Sequence, residues 1–207
     1  MTALNLLDYA SVLIFALTGA LVASRAQLDV VGFVFMACLT AVGGGTLRDL
    51  MLDRNPIFWI ADPTILAVAS GAALLVFFTA HLLESRYSAI LWLDAAALAV
   101  AVAAGSGIAV AQGQPAPIVL VMGVVTGCAG GLMRDVVANE LPLVLKQGEL
   151  YVTCAFFGGL ATVLVSDYGA AEAGLACAAV TFVARAGSMA FGWRLPVYKG
   201  RPPRTKP

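Results

Sequence analysis

Charge is scarce in this sequence: Asp, Glu, Lys and Arg make up 12% of the 207 residues, against 61% hydrophobic ones. A soluble domain of that length needs far more charge to keep its surface solvated. The formal net charge is zero, so the electrostatic footprint of a nucleic-acid partner is missing. Histidine occurs once, at His81, and Cys38, Cys128, Cys154 and Cys177 lie scattered inside apolar runs. None of these stands in metal-ligand spacing, and the cysteines read as small core residues rather than as a disulfide framework. A cleavable signal is also missing: Asp8 precedes the first apolar run, no positive segment leads it, and no clear small-x-small site follows. No Ser/His/Asp set, P-loop or EF-hand appears. The expectation is therefore no enzyme, no cofactor and no resident metal. Period-2 alternation is lacking too, which excludes a barrel.

What the sequence has in abundance is apolar runs of spanning length, with a mean hydropathy of +0.93. A helix needs roughly 20 mainly apolar residues to cross the hydrocarbon core. Seven stretches meet or nearly meet that length, at about 7–23, 30–52, 65–83, 89–110, 116–137, 150–165 and 173–193. The connections are short and hold most of the polar residues. Trp59, Trp92 and Trp193 fall at span ends, as in an aromatic belt, and His81 ends the third span at the interface. The predicted fold is an all-α polytopic membrane protein, one transmembrane domain over 1–193 with a basic tail at 194–207.

Lysine and arginine set the orientation. The tail holds Arg194, Lys199, Arg201, Arg204 and Lys206 without an acid, which predicts a cytoplasmic C-terminus. Seven crossings then put the N-terminus outside. The loops agree: Arg25, Arg86 and Lys146 fall inside, whereas Arg54 and the turn with Asp167 and Glu172 fall outside.

Shifting the chain by 86 positions, without a gap, superposes Leu7-Asp8 on Leu93-Asp94, Gly19 on Gly105 and Thr40 on Thr126. It also matches Gly44-Gly45 with Gly130-Gly131, Arg48-Asp49 with Arg134-Asp135 and Pro56 with Pro142. In so apolar a chain, matched alanine and leucine carry little weight, but matched glycine, arginine, aspartate and proline do. Each half, about 7–83 and 89–165, holds three spans, an odd number, so the halves sit in opposite orientations. This predicts an inverted 3+3 repeat plus one peripheral helix over about 173–193, with a solute path at the repeat interface.

The second and fifth spans carry the paired motifs, from Thr40 through Gly43, Gly44 and Gly45 to Arg48 and Asp49, and from Thr126 through Gly130 and Gly131 to Arg134 and Asp135. Consecutive glycines cost a helix about 1 kcal/mol each relative to alanine, which predicts a wet break in both spans. Carbonyls freed at such a break coordinate cations. Close helix packing is the competing reading, since Ala37, Ala41 and Gly45, and Gly123, Gly127 and Gly131, form small-xxx-small faces. Intramembrane charges face the bundle interior or water. Because neighbours on a helix diverge, the repeat symmetry suggests cross pairs, Arg48 with Asp135 and Arg134 with Asp49. Such pairs are either architectural locks or an electrostatic constriction. Arg185, alone in the seventh span, needs an acid, a carbonyl or water, with Asp8 and Asp94 as candidate partners.

Seven spans, an inverted repeat and doubled glycine/Arg-Asp motifs resemble the prokaryotic trimeric intracellular cation channels (TRIC), over essentially the whole chain up to the tail. The resemblance implies a homotrimer in the cell inner membrane, surrounded by lipid, in which each protomer conducts potassium and other monovalent cations through its own pore. It implies that the broken second and fifth spans line that pore, which assigns the role to Gly43, Gly44, Gly45, Gly130 and Gly131. With the flanking polar residues, the expected lining is completed by Thr40, Arg48, Asp49, Thr126, Arg134 and Asp135. One departure is Ala129, where the first glycine of the second motif is missing. The broad family also includes members described as glycine transporters, so a small-solute carrier is the alternative. Few, small polar residues along the path and no evident amino-acid pocket favour the channel.

Overall fold

The computed structural model describes residues 3–83, 85–146 and 150–196. Glu84, Gly148 and the tail residues Lys199, Arg201, Arg204 and Lys206 lie outside the described residues. The fold is all-helical, with α1 (Ala3–Arg25), α2 (Val30–Met51), α3 (Phe58–Ala61), α4 (Thr64–Thr79), α5 (Arg86–Ala111), α6 (Ala116–Val137), α7 (Tyr151–Val165) and α8 (Ala170–Phe191). A 3-10 turn extends α4 over Ala80–Leu82. All but α3 belong to seven helical segments long and apolar enough to cross a membrane.

Local chemistry fixes the helix ends. The Asp29 carboxylate accepts from Gly32 N to start α2, and the Ser85 hydroxyl accepts from Ser88 N to start α5. Pro117 sits in the first turn of α6, where its missing N–H costs nothing. Past α2 and α6 the chain turns through left-handed residues at Asp53 (φ 51°) and Asn139 (φ 56°), which correspond under the repeat. Asp and Asn tolerate that conformation better than most residues.

Within repeat one, α1 packs on α2 and α4, and α2 packs on α4. The same three pairings recur among α5, α6 and α7, and the repeats meet through α1 on α5 and α2 on α6. Connectivity runs α1 and α5 in opposite directions, the inverted arrangement read from the sequence. The seventh span, α8, packs on α7 and α5 and is the least enclosed of the seven. Arg25 donates to Glu140 at 3.2 Å and Lys146 to the Tyr87 hydroxyl at 2.7 Å, which brings three loops together at one end, the Arg25 end. Tyr9 donates to Asp62 at 2.5 Å at the opposite, Arg54 end.

The expected breaks are absent. α2 is helical through Gly43–Gly45 and α6 through Gly130 and Gly131. Packing supplies what helix propensity withholds. A Cβ added at Gly44 would fall under 3.0 Å from the Thr126 carbonyl oxygen, and one at Gly130 equally close to that of Thr40. Gly19 and Gly105 repeat the pattern: a Cβ on the first would crowd Met36 O and Thr40, and on the second Met122 O and Thr126. The glycines let four backbones meet around the pseudo-two-fold axis, as small residues do between membrane helices. Gly45 has a further job, since its missing Cβ makes room for the Phe58 ring.

Candidate functional site

Two buried arginine clusters flank the α2–α6 crossing. Near the Arg54 end, Arg48 is fully buried and donates from Nε to Asp49 Oδ1 and from Nη1 to Asp8 Oδ1, both at 2.8 Å. Asp49 also accepts from Arg54 Nη1 at 2.9 Å and from the Phe58 backbone N–H at 2.8 Å. The Arg48 guanidinium lies 5.2 Å from the centre of the Phe58 ring. Near the Arg25 end, Arg134 donates from Nε to Asp135 Oδ1 at 2.8 Å and from Nη1 to Asp94 Oδ1 and Thr18 Oγ1, each at 2.9 Å. Asp135 accepts from Leu143 N at 2.9 Å. In each half, one carboxylate therefore holds its neighbouring arginine and the start of the segment after the helix.

The cross pairs Arg48–Asp135 and Arg134–Asp49 do not form. Arg48 and Arg134 lie four residues beyond Gly44 and Gly130 on antiparallel helices. Gly44 abuts Thr126 and Gly130 abuts Thr40, so each arginine stands about six residues from the crossing point, and at 1.5 Å per residue the two clusters are roughly 18 Å apart along it. Each arginine turns instead to its sequence neighbour, because its long stem brings Nε back to a carboxylate one residue away, and to the aspartate on the first helix of its own repeat. Asp8 and Asp94 are thus site residues that sequence reasoning offered only as possible partners of Arg185. Their signal was present in the matched Leu7-Asp8 and Leu93-Asp94 pairs. Arg185 reaches the second cluster indirectly: its guanidinium sits 5.0 Å from the centre of the Tyr151 ring, and the Tyr151 hydroxyl donates to Asp94 Oδ2 at 2.6 Å.

Thr40 and Thr126 are buried, and each turns its hydroxyl to the carbonyl four residues back, Met36 and Met122, at 2.6 Å. Their backbone carbonyls abut Gly130 and Gly44. Gly43 faces Met133 across the same crossing. Gly131 is different, with Asp94 and the Tyr151 hydroxyl at ordinary contact distance from where its Cβ would be.

A vestibule of about 150 Å³ enters from the Arg54 end, lined by Asp8, Tyr9, Arg54, Phe58, Asp62 and Ile65 among others. Beneath it, Asp8, Arg48 and Phe58 also border a cavity of about 10 Å³ that reaches Ser11, Gly44 and Thr126. That is room for about one water. Arg48 Nη2 has no acceptor among the described residues. At the vestibule mouth the Thr64 hydroxyl, and after it the Tyr9 hydroxyl, hold the Asp62 carboxyl below its ordinary range. Trp59 donates to Thr46 Oγ1 at 2.9 Å and anchors α3 to α2.

The family model described as glycine transporter matches this chain twice, over residues 5–81 and 91–167, at the repeat's own offset. A UPF0126 membrane protein of Vibrio cholerae is 37% identical over 202 residues, covering 94% of this chain and 82% of that protein. The UPF0126 inner membrane protein YadS of Escherichia coli is 36% identical over 158 residues, 74% of each chain. Among solved structures, the TRIC trimeric intracellular cation channel orthologue from Rhodobacter sphaeroides superposes with a TM-score of 0.88 at 41% identity, covering 93% of this chain and 100% of that one. A prokaryotic TRIC channel in 0.5 M KCl superposes at 0.87 with 26% identity, over 93% and 98%.

Proposed function

We propose that this chain, which belongs to the glycine transporter family and has the TRIC channel fold, is a cation channel of the inner membrane that passes potassium and other monovalent cations through each protomer of a homotrimer. The observation that carries the reading is the vestibule, which shares Asp8 and Phe58 with the small cavity that the buried Arg48 borders at the α2–α6 crossing. Asp8 and Asp62 attract cations into the vestibule, and Arg48 and Arg54 hold the net charge there near neutral, so binding is weak enough for release. Asp62 keeps its charge under mild acid, because its carboxyl titrates below the usual range.

The proposed path follows α2 and α6 past Thr40, Gly43, Gly44, Gly45, Thr126, Gly130 and Gly131, between Arg48-Asp49 on one side and Arg134-Asp135 on the other. With the helices continuous, conduction requires them to separate at the Gly44–Thr126 and Gly130–Thr40 contacts. We place the Arg25 end in the cytoplasm, on the strength of Arg25, Arg86, Lys146 and the basic tail. Recording from purified protein in a planar bilayer tests the reading. Unitary currents that reverse at the potassium equilibrium potential are expected. Their absence, together with saturable glycine uptake into vesicles, would establish the second reading, a glycine carrier. That reading has the family description behind it, and the buried Arg48 bordering the cavity beneath the vestibule suits a carboxylate.

A further inference from the structure

The repeat offset gives the residues of one half counterparts in the other, and several mismatches fall beside the two clusters, Arg54 with Glu140 and Phe58 with Val144 among them. Asp8 corresponds to Asp94, but next to them Ile65 in repeat one corresponds to Tyr151 in repeat two. Ile65 and Asp8 share the wall of the vestibule, and the Asp8 side chain stays 13% exposed. At the other end the Tyr151 hydroxyl donates to Asp94 Oδ2, Arg134 takes Oδ1, and the Asp94 side chain is 1% exposed. Both carboxylate oxygens are therefore engaged inside the protein. Tyr151 is itself buried, and its ring lies under Arg185, a fully buried residue of the one span that the repeat does not generate.

We infer that Tyr151, steadied by Arg185 of α8, is the positioning residue that closes the Arg25-end half of the path, so that two chemically similar half-paths differ in access to water. The inference rests on the ion path proposed above. A phenol bonded to a carboxylate fills the space where a hydrated cation would approach and occupies an oxygen it would use. A charge-assisted bond of this kind is among the stronger ones, and Arg185 over the ring resists the rotation that would break it. The outer half holds an isoleucine at the same place, which has no donor, and a vestibule opens there. The seventh helix thus gives the fold an asymmetry that the repeat alone lacks.

Tyr151→Phe tests this with the least disturbance, since the ring stays beneath Arg185 and only the donor is lost. The native Cys128 reports on water, because it lies on α6 between Thr126 and Gly130 and packs in one buried cluster with Tyr151. With Cys38, Cys154 and Cys177 replaced by alanine, oriented vesicles are treated with a membrane-impermeant thiol reagent from the cytoplasmic face. Tyr151→Phe is expected to speed labelling of Cys128 about tenfold, the effect of losing one bond to a charged group. Open probability is expected to rise with unitary current unchanged. An unchanged labelling rate in correctly assembled Tyr151→Phe protein overturns the inference. Should that variant not assemble, Ile65→Tyr decides from the other side: a phenol beside Asp8 is expected to slow external labelling of a Ser11→Cys probe, and unaltered labelling overturns the idea equally. Arg185→Lys is expected to keep Cys128 protected, and Arg185→Gln to expose it. The labelling decides this inference whether or not unitary currents are seen, whereas the currents decide the channel reading.

Discussion

At the residue scale, the arginines explain both what the sequence revealed and where it misled. That Arg48 and Arg134 sit in the bundle interior followed from the cost of a charge facing lipid, and both are buried. The expected cross pairs rest on the divergence of adjacent helix positions, a rule that holds for Cβ directions but not for the end of a long arginine side chain. Two couplings separate the arrangements. Alanine double-mutant cycles read by thermal unfolding in detergent are expected to give about 1–3 kcal/mol for Arg134 with Asp94. For Arg48 with Asp135 the same cycle is expected to stay within about 0.5 kcal/mol. Significant coupling in the second cycle would restore the cross pair. The single changes are also unequal. Arg134→Ala removes hydrogen bonds to Asp135, Asp94 and Thr18 and leaves two almost wholly buried carboxylates without their cation, Asp94 held by the Tyr151 hydroxyl and Asp135 by the Leu143 N–H. Arg48→Ala leaves Asp49 with Arg54 and the Phe58 N–H, and Asp8 beside the vestibule. Loss of Arg134 is expected to cost about 3–5 kcal/mol, and loss of Arg48 clearly less, with altered currents in protein that still assembles.

At the scale of elements, hydropathy placed all seven spans, and the fifth coincides with α6 at both ends. Elsewhere it cut helices short where their ends are polar: α5 begins at Arg86, three residues before its apolar run, because Ser85 caps it. The four-residue α3 is too short to show any periodicity, and its residues fall in the connection between the second and third predicted spans. The glycine motifs were the harder case. Glycine's low helix propensity is visible in a sequence, but the neighbouring backbone that exploits the missing Cβ belongs to the other repeat and is not. Packing wins here because four helices meet at Gly19, Gly44, Gly105 and Gly130. Gly44→Ala is therefore expected to force α2 from α6 and lower stability by about 1–3 kcal/mol. Gly71→Ala on α4, where an added Cβ meets nothing within 4 Å, provides the control. It is expected to be neutral or to stabilise by up to about 1 kcal/mol. If Gly44→Ala raised the unfolding temperature as Gly71→Ala does, the glycines would be present to weaken the helix and not to admit a neighbour.

At the scale of the whole molecule, the repeat was the most legible feature, because an inverted design needs matched punctuation in both halves and so leaves a long-range signature. Its consequences for sidedness can be tested directly. A cysteine placed at Lys199 is expected to react only from the cytoplasm and one placed at Asp167 only from outside; the reverse would invert the proposed topology and with it the face on which the Tyr151 closure lies. Assembly is a separate matter. Both clusters, the vestibule and the α2–α6 crossing are built from α1 to α7 of one chain. On the path proposed above, each protomer of a trimer is then expected to conduct independently of its neighbours. Mixed trimers of native chains and chains plugged by a bulky thiol reagent at a Ser11→Cys probe, beside the small cavity at the crossing, are expected to show current steps of native size, one for each native protomer present. The number of steps, and not their height, then follows the ratio of the two chains. If one altered chain silenced the whole trimer, the path would be shared between protomers or opened in concert. The separation of α2 from α6 would then have to be driven from the subunit interface and not from within the chain.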